Sequence, residues 1–392
     1  MGFREYFREI EPVLVQLRRW FHEHPERSLQ EENTAGKIRE ELDGMGIPWQ
    51  NLPPGHGVVG VIRGGGEGKT IALRADTDAL PVSEATGLPF ASRNKGVMHA
   101  CGHDAHIAML LGAAKALNER RDHLSGTVLC VFQPAEEIGQ GHQEVLEYFR
   151  SVLRPDAVIG LHIWSQIPQG QILLLPGPVF AGVTSYTVTI HGRGGHGGRP
   201  DQVMDPVKAA CDLVLKYAAI PSNFYDALDP CVVNVGRMEA GTAGNVFPSQ
   251  AKIHGSLRWF KPGGEEKIIS VMERMARGIG EIHGVTCQVD RIASIPPVRN
   301  EEGLINKALG LLDRVEGLRP ADQTEPILAG DNMSFYLEKY PGFYGILGGG
   351  KAQGPVYPHH HDCFDLDEAA LRKGAEFMAV FAADFLSGSK KA

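Results

Sequence analysis

At 392 residues the chain is about two to three times an ordinary domain, and its 43% hydrophobic and 22% charged residues are ordinary for a soluble globular protein, so two domains are expected. A formal charge of −8 and an isoelectric point near 6.1 exclude nucleic acid and anionic membrane as main partners, because either calls for a basic face. Six scattered cysteines with no CxxC pair, an N-terminus without an apolar signal core and no apolar run near the ~20 residues of a membrane span predict a reduced, cytoplasmic protein without disulfides.

Residues 4–22 carry apolar side chains at helical spacing (Tyr6, Ile10, Val13, Leu14, Leu17, Phe21), and 34–42 reads as a second helix. His22 and His24 fall in the HEHP break between them and read as surface or capping residues. Strands follow at 57–62 and 70–76. The stretch MHACGHDAH (98–106) then opens the helix IAMLLGAAKAL, with Asp104 as its N-cap. Further strands are read at 126–137 and 157–164. Apolar throughout and alternating with helices, these strands imply an α/β domain with a mixed sheet covered on both faces. Three of them run into chemically capable residues: Asp76 and Asp78, Glu136 and Glu137, and His162. In α/β sheets the site lies beyond the carboxyl ends of the strands, so these residues are expected to converge.

The pattern changes around 176–181. From Ser185 the order is strand, helix, two strands, helix, strand, which is the α+β ferredoxin-like (βαββαβ) sandwich inserted into the larger domain. The α/β pattern resumes near Ser294, with a helix near 302–315, a loop AGDNMS, a strand FYGILGGG and a closing helix at 367–386. The expected division is 1–181, an inserted domain at 182–293, and 294–392.

Thiolate and imidazole are usual ligands of zinc and related divalent ions, and Gly102 gives the backbone freedom to turn Cys101 and His103 toward one point. Taken alone, the stretch reads equally well as a helix entry with incidental histidines. QPAEE places two carboxylates side by side. If extended, it points them opposite ways, so one can bind metal while the other takes a proton from a bound water and later delivers it to a leaving amine. YPHHHDCFD adds His359, His360 and His361 in an internal run followed by a helix.

RADTDALP (74–81), MHACGHDAH, FQPAEE, GLHIW, GRGGHGGRPD (192–201), AGTAGNVFP (240–248), GSLR (255–258) and HHDCFD together resemble the aminoacylase/carboxypeptidase metallohydrolases. Within them the chain is similar to the amidohydrolase branch of hippurate hydrolase, indole-acetyl-amino-acid hydrolase and N-acetyl-diaminopimelate deacetylase. The resemblance spans nearly the whole chain. It implies a two-metal catalytic domain (1–181 and 294–392) and a lid domain (182–293) that forms a homodimer contact. Carried over by motif, Cys101, His103, Glu137, His162 and His360 are the metal ligands, with zinc, manganese, cobalt or nickel all open. Glu136 matches the general base, and Asp78 the acid that orients a ligand or substrate. His196 and Asn245 match residues sent into the partner subunit's active site, and Arg258 the residue that grips a substrate carboxylate. Such a protein cleaves the amide of a small N-acyl amino acid or related conjugate. A dipeptidase or carboxypeptidase shares every motif, and a silent small-molecule binding protein on the same fold has no need of Glu136. Departures from the family pattern (Ile138 and His142 after PAEE, Asp331 and Asn332, the HIWS segment, Asp362) bear on substrate identity.

Overall fold

The computed structural model describes residues 2–388. Two compact units divide the chain: Met1–Val179, Arg299–Glu325 and Asn332–Ala392 form the first, and Phe180–Val298 with Pro326–Asp331 forms the second. The second unit thus takes a short segment from late in the chain that no pattern in the sequence marks.

In the first unit, α1 (Phe3–Glu23) and α2 (Glu32–Gly44) precede the strands β1 (Trp49–Leu52), β2 (Gly57–Arg63) and β3 (Gly66–Asp76). Then come α3 (His103–Asn118), β4 (Ser125–Gln133), α4 (His142–Ser151), β5 (Ala157–Pro168) and β6 (Gln171–Leu173). The eight-stranded sheet runs β1-β2-β4-β3-β5, then the strand Gly342–Gly350, β6 and a short strand at Arg319–Pro320. β4, β3, β5 and Gly342–Gly350 are mutually parallel, so their carboxyl ends share one edge. Ile71, Leu73, Ala75, Val128, Cys130 and Phe132 join one core cluster with the helices, while the intervening Ala72, Arg74, Leu129 and Val131 are also buried. Side chains alternate across a strand, so the sheet is covered on both faces, as its unbroken apolar runs require.

α3 is buried at every position except Lys115, which explains why it is apolar all round instead of striped. Gly112 lets α1 approach it: a Cβ there would stand 2.4 Å from Leu14 Cδ2. The closing helix, Ala369–Ser387, packs against α1 and α3 and buries Glu376. Neither Glu376 carboxylate oxygen has a hydrogen-bond partner, and Arg372 stays 3.6 Å away, so burial pushes this carboxyl up to about 7 despite that cation. The unfolded chain ionises Glu376 near 4.5, so its contribution favours the folded state least above about pH 7 and most below about pH 4.5. Glu376→Gln is therefore expected to match the wild type in urea melts near pH 4 and to exceed it by about 1–3 kcal/mol at pH 8. An unchanged difference across that range refutes the assignment.

The second unit has the expected βαββαβ order: strands Gly182–His191, Val232–Ala240, Gln250–Trp259 and Thr286–Ile295, with helices Pro206–Tyr217 and Gly264–His283. Its first strand pairs antiparallel with the third and the fourth, and the third with the second. Tyr186, Val188, Ile190, Leu213, Ile253 and Met272 belong to its own core cluster. Among the described residues no helix is long and apolar enough to cross a membrane.

Three local expectations change. Asp104 does not cap α3; the N-cap is Gly102, and the Asp104 carboxylate instead accepts from Arg18 Nε at 3.0 Å and lies 2.8 Å from His22 Nδ1. His22 is accordingly fully buried, not a surface residue. Arg18, also buried, reaches Asp365 and Glu368 at 3.1 Å each, so one guanidinium fork joins α1, the start of α3 and the segment after His361. Finally, β4 ends at Gln133, and PAEE is a turn instead of a strand end.

Candidate metal centre

The parallel edge of the sheet carries the first half of the site. Asp76 ends β3, opposite Gln133 at the end of β4. β5 runs on past this edge, so His162 lies within it, two residues beyond the Arg74–Gly160 pair. Cys101 and His103 arrive at the mouth of α3 through Gly102, whose φ of +87° only glycine adopts readily. A Cβ there would also meet Ile163 Cγ2 at 2.5 Å. His360 comes from the tail, itself at φ +67°, with its N–H held by Ala100 O at 2.8 Å.

These segments converge. Ligand-capable atoms of Cys101, His103 and His162 lie within 4.8 Å of one another, as do those of Cys101, Glu137 and His360, and those of His103, Glu136 and Glu137. Cys101 Sγ is 3.6 Å from His162 Nε2, His103 Nε2 is 3.8 Å from Glu137 Oε1, and His360 Nε2 is 3.6 Å from Glu137 Oε2. The two nitrogen–oxygen separations exceed hydrogen-bond length, yet the groups face each other in a largely dry site. His103 Nε2 and Glu137 Oε1 are buried without a hydrogen-bond partner. Buried polar atoms without partners demand an explanation, and a cation between them supplies one.

The imidazole tautomers agree. His103 Nδ1–H donates to Asp78 O at 2.9 Å and His162 Nδ1–H to Ile163 O at 2.7 Å, which leaves both Nε2 lone pairs directed into the site. The Ile163 peptide is a hub: its N–H donates to His106 Nε2 at 2.8 Å, and its carbonyl also accepts from His359 Nε2 at 3.0 Å. His106 therefore carries its proton on Nδ1, 2.5 Å from Asp76 Oδ1. His106 and His359 orient the site's walls, and His359 stacks on Trp164 with ring centroids 4.0 Å apart.

Glu136 and Glu137 do not diverge as neighbours on an extended segment would. They lie in a short 3-10 turn, Glu136–Ile138, entered through Ala135 at φ +57°. Consecutive residues of such a turn differ by roughly 120°, which lets both carboxylates reach one centre. Asp78 holds this turn: its Oδ1 accepts from Glu136 N–H and its Oδ2 from Glu137 N–H, each at 3.0 Å. Glu136 Oε1 accepts from Asn332 N–H at 2.9 Å.

Electrostatics follow burial. Burial, with the charges of Asp78 and Asp76, pushes Glu137 up to about 7 against the pull of His103. Burial raises the Cys101 thiol and lowers His162 and His360. Burial alone would raise Asp76, but His103, Arg74 and His106 hold it well below the usual carboxylate range.

Over residues 72–384 the chain matches the model of peptidase family M20/M25/M40. The chain belongs to that family. This M20 chain is 37% identical over 386 residues to thermostable carboxypeptidase 1 of Saccharolobus solfataricus, covering 96% of each. It is 38% identical over 371 residues to N-acetylcysteine deacetylase of Bacillus subtilis, covering 94% of this chain and 96% of that one. A solved Bacillus subtilis structure, described as a dinuclear metal binding peptidase of the M20 family, superposes with a TM-score of 0.84 at 35% identity, covering 97% and 99%. These relatives agree with the resemblance read from the motifs.

The remaining expected residues lie in the second unit. His196 and Asn245 come together there on a small two-stranded ribbon, where Val246 pairs with His196 and Gly197 N–H donates to Asn245 O at 2.8 Å. Both side chains are exposed. Half-buried Arg258 donates from Nε to Leu328 O at 3.2 Å. Sequence reasoning passed over Ser28 and Glu31, took Asn332 only as a departure bearing on substrate identity, and left His106, three residues after His103 on one helix face, as a helix-flank or supporting residue, which its bond from the Ile163 N–H fits.

Proposed function

We propose that this M20 chain is a dinuclear metal-dependent amidohydrolase that cleaves the amide bond of small N-acyl amino acids or related conjugates. The observation that carries this reading is the convergence of Cys101, His103, His162, Glu137 and His360, from separate segments, on a site where a further carboxylate, Glu136, stands with them. Zinc, manganese, cobalt and nickel all suit this mixed thiolate, imidazole and carboxylate set. Bound divalent metal lowers the pKa of water toward about 7 and polarises a carbonyl.

The chain's own residues do the rest. Glu136, fixed through Oε1 by the Asn332 N–H, takes the proton of the attacking water and returns it to the departing amine. Asp78 keeps His103 and the acidic turn in register. His196 and Asn245 serve a neighbouring subunit's site in a homodimer built through the lid, and Arg258 binds the substrate carboxylate.

The relative named a carboxypeptidase is about as similar to this chain as the relative named a deacetylase, which keeps dipeptide hydrolysis as a second reading. Turnover on a panel of N-acetyl, N-benzoyl and indole-acetyl amino acids alongside dipeptides, with metal analysis of the same protein, distinguishes them. N-acyl amino acids are expected to be the better substrates. A metal-free protein inert to the whole panel sinks the proposal.

A further inference from the structure

Three successive backbone N–H groups of the acidic turn are bound by two carboxylates. Asp78 takes those of Glu136 and Glu137, and Glu31 takes that of Ala135, with its Oε1 at 2.8 Å. Glu31 comes from far away in sequence, at the N-cap of α2, and is fully buried. Its other oxygen, Oε2, has no hydrogen-bond partner. A buried carboxyl without a full set of partners is costly to keep. The amides of Glu31 itself and of Leu29 also favour its charged form, but the hydrogen bond it makes beyond its own loop goes to Ala135. The amide it holds belongs to Ala135, whose left-handed φ of +57° is costly for a residue with a Cβ and persists only when its surroundings enforce it. That left-handed residue is what swings the chain from the end of β4 into the turn bearing Glu136 and Glu137.

We infer that Glu31 is a positioning residue: by holding the Ala135 amide it fixes the backbone from which Glu136 and Glu137 reach the centre. This rests on the reading of Glu136 and Glu137 given above. The role is one of reach, not of charge. Burial and the neighbouring Asp78 push the Glu31 carboxyl up to about 7, and a neutral acid or an amide accepts the Ala135 N–H as well as a carboxylate does. Ser28, three residues earlier, donates to Asp78 Oδ2 at 2.6 Å, so the loop before α2 supports both carboxylates that grip the turn.

The test compares Glu31→Gln, which keeps the acceptor in place, with Glu31→Asp, which keeps the acid but withdraws it by one methylene, and Glu31→Ala. Each is assayed on its best N-acyl amino acid, and separately for Co2+ affinity by chelator competition followed through the cobalt absorption bands. Glu31→Asp and Glu31→Ala are expected to lose roughly 10- to 100-fold in kcat with KM changed less than about threefold, and to lose roughly 10-fold or more in Co2+ affinity, while Glu31→Gln stays within about threefold of the wild type in both. Wild-type behaviour of Glu31→Asp and Glu31→Ala overturns the inference. So does a deficient Glu31→Gln beside a normal Glu31→Asp, which makes charge the operative property. If Glu31→Ala fails to fold, the Gln and Asp pair still decides. Should the wild type turn over no substrate yet bind Co2+, the functional reading fails alone, and the cobalt arm still tests Glu31.

Discussion

Glu136→Gln is expected to lower kcat by roughly 100- to 10,000-fold while leaving the fold and the bound metal intact. The substitution keeps the shape of the side chain and an oxygen able to accept the Asn332 N–H, now made to Glu136 Oε1 at 2.9 Å. What it removes is the ability to take a proton from water and return it to an amine. The neighbouring carboxylate answers differently. Glu137 lies 3.8 Å from His103 Nε2 and 3.6 Å from His360 Nε2, so Glu137→Gln is expected to reduce metal content first and turnover as a consequence. Steady-state kinetics with metal analysis of both variants checks the pair. Near-normal turnover of Glu136→Gln with full metal occupancy removes Glu136 from the role of base.

Stripping divalent metal with a chelator is expected to abolish turnover and to lower the thermal midpoint, both restored by zinc, manganese, cobalt or nickel. The stability effect has a simple origin. Without a cation the folded chain buries His103 Nε2 and Glu137 Oε1 with no partner, beside a thiol and three further imidazole or carboxylate groups. A metal that binds the folded chain alone contributes about 2.7 kcal/mol at a free concentration of 100 Kd, and one able to join these groups has every reason to bind tightly. Differential scanning fluorimetry during chelation and re-addition reads this directly. A chelated protein with unchanged midpoint and undiminished turnover rules out the metal centre.

The two readouts also separate the local roles. His106 and His359 touch the Ile163 peptide instead of facing Cys101, which makes them supports of His162. Their motif neighbours, His103 and His360, are the ones whose Nε2 atoms approach Glu137. Within HHH, periodicity could not choose among three adjacent imidazoles. The choice of His360 came from family spacing, and in the fold it is His360 whose Nε2 stands 3.6 Å from Glu137 Oε2, while His361 Nδ1 lies 2.9 Å from Asp362.

By itself the sequence determined the α/β class, the inserted βαββαβ unit and the gathering of Asp76, Asp78, Glu136, Glu137 and His162 at one sheet edge. Those features follow from local patterning: unbroken apolar strands must be covered on both faces, and parallel strands deliver their ends to one side. Only the tertiary structure decided how the acidic pair is aimed. An extended PAEE points two carboxylates apart, whereas the turn through Ala135 brings both to one centre, held by Asp78 and by Glu31 from 104 residues away. The same holds for Asp104 and His22, which local rules make a cap and a surface residue. Buried Arg18 offers Asp104 a charge-assisted bond worth more than a capping bond, and Asp104 in turn holds His22 in the interior. Competition between a local hydrogen bond and a distant buried charge is invisible to a window of sequence, because the winning partner lies on another element.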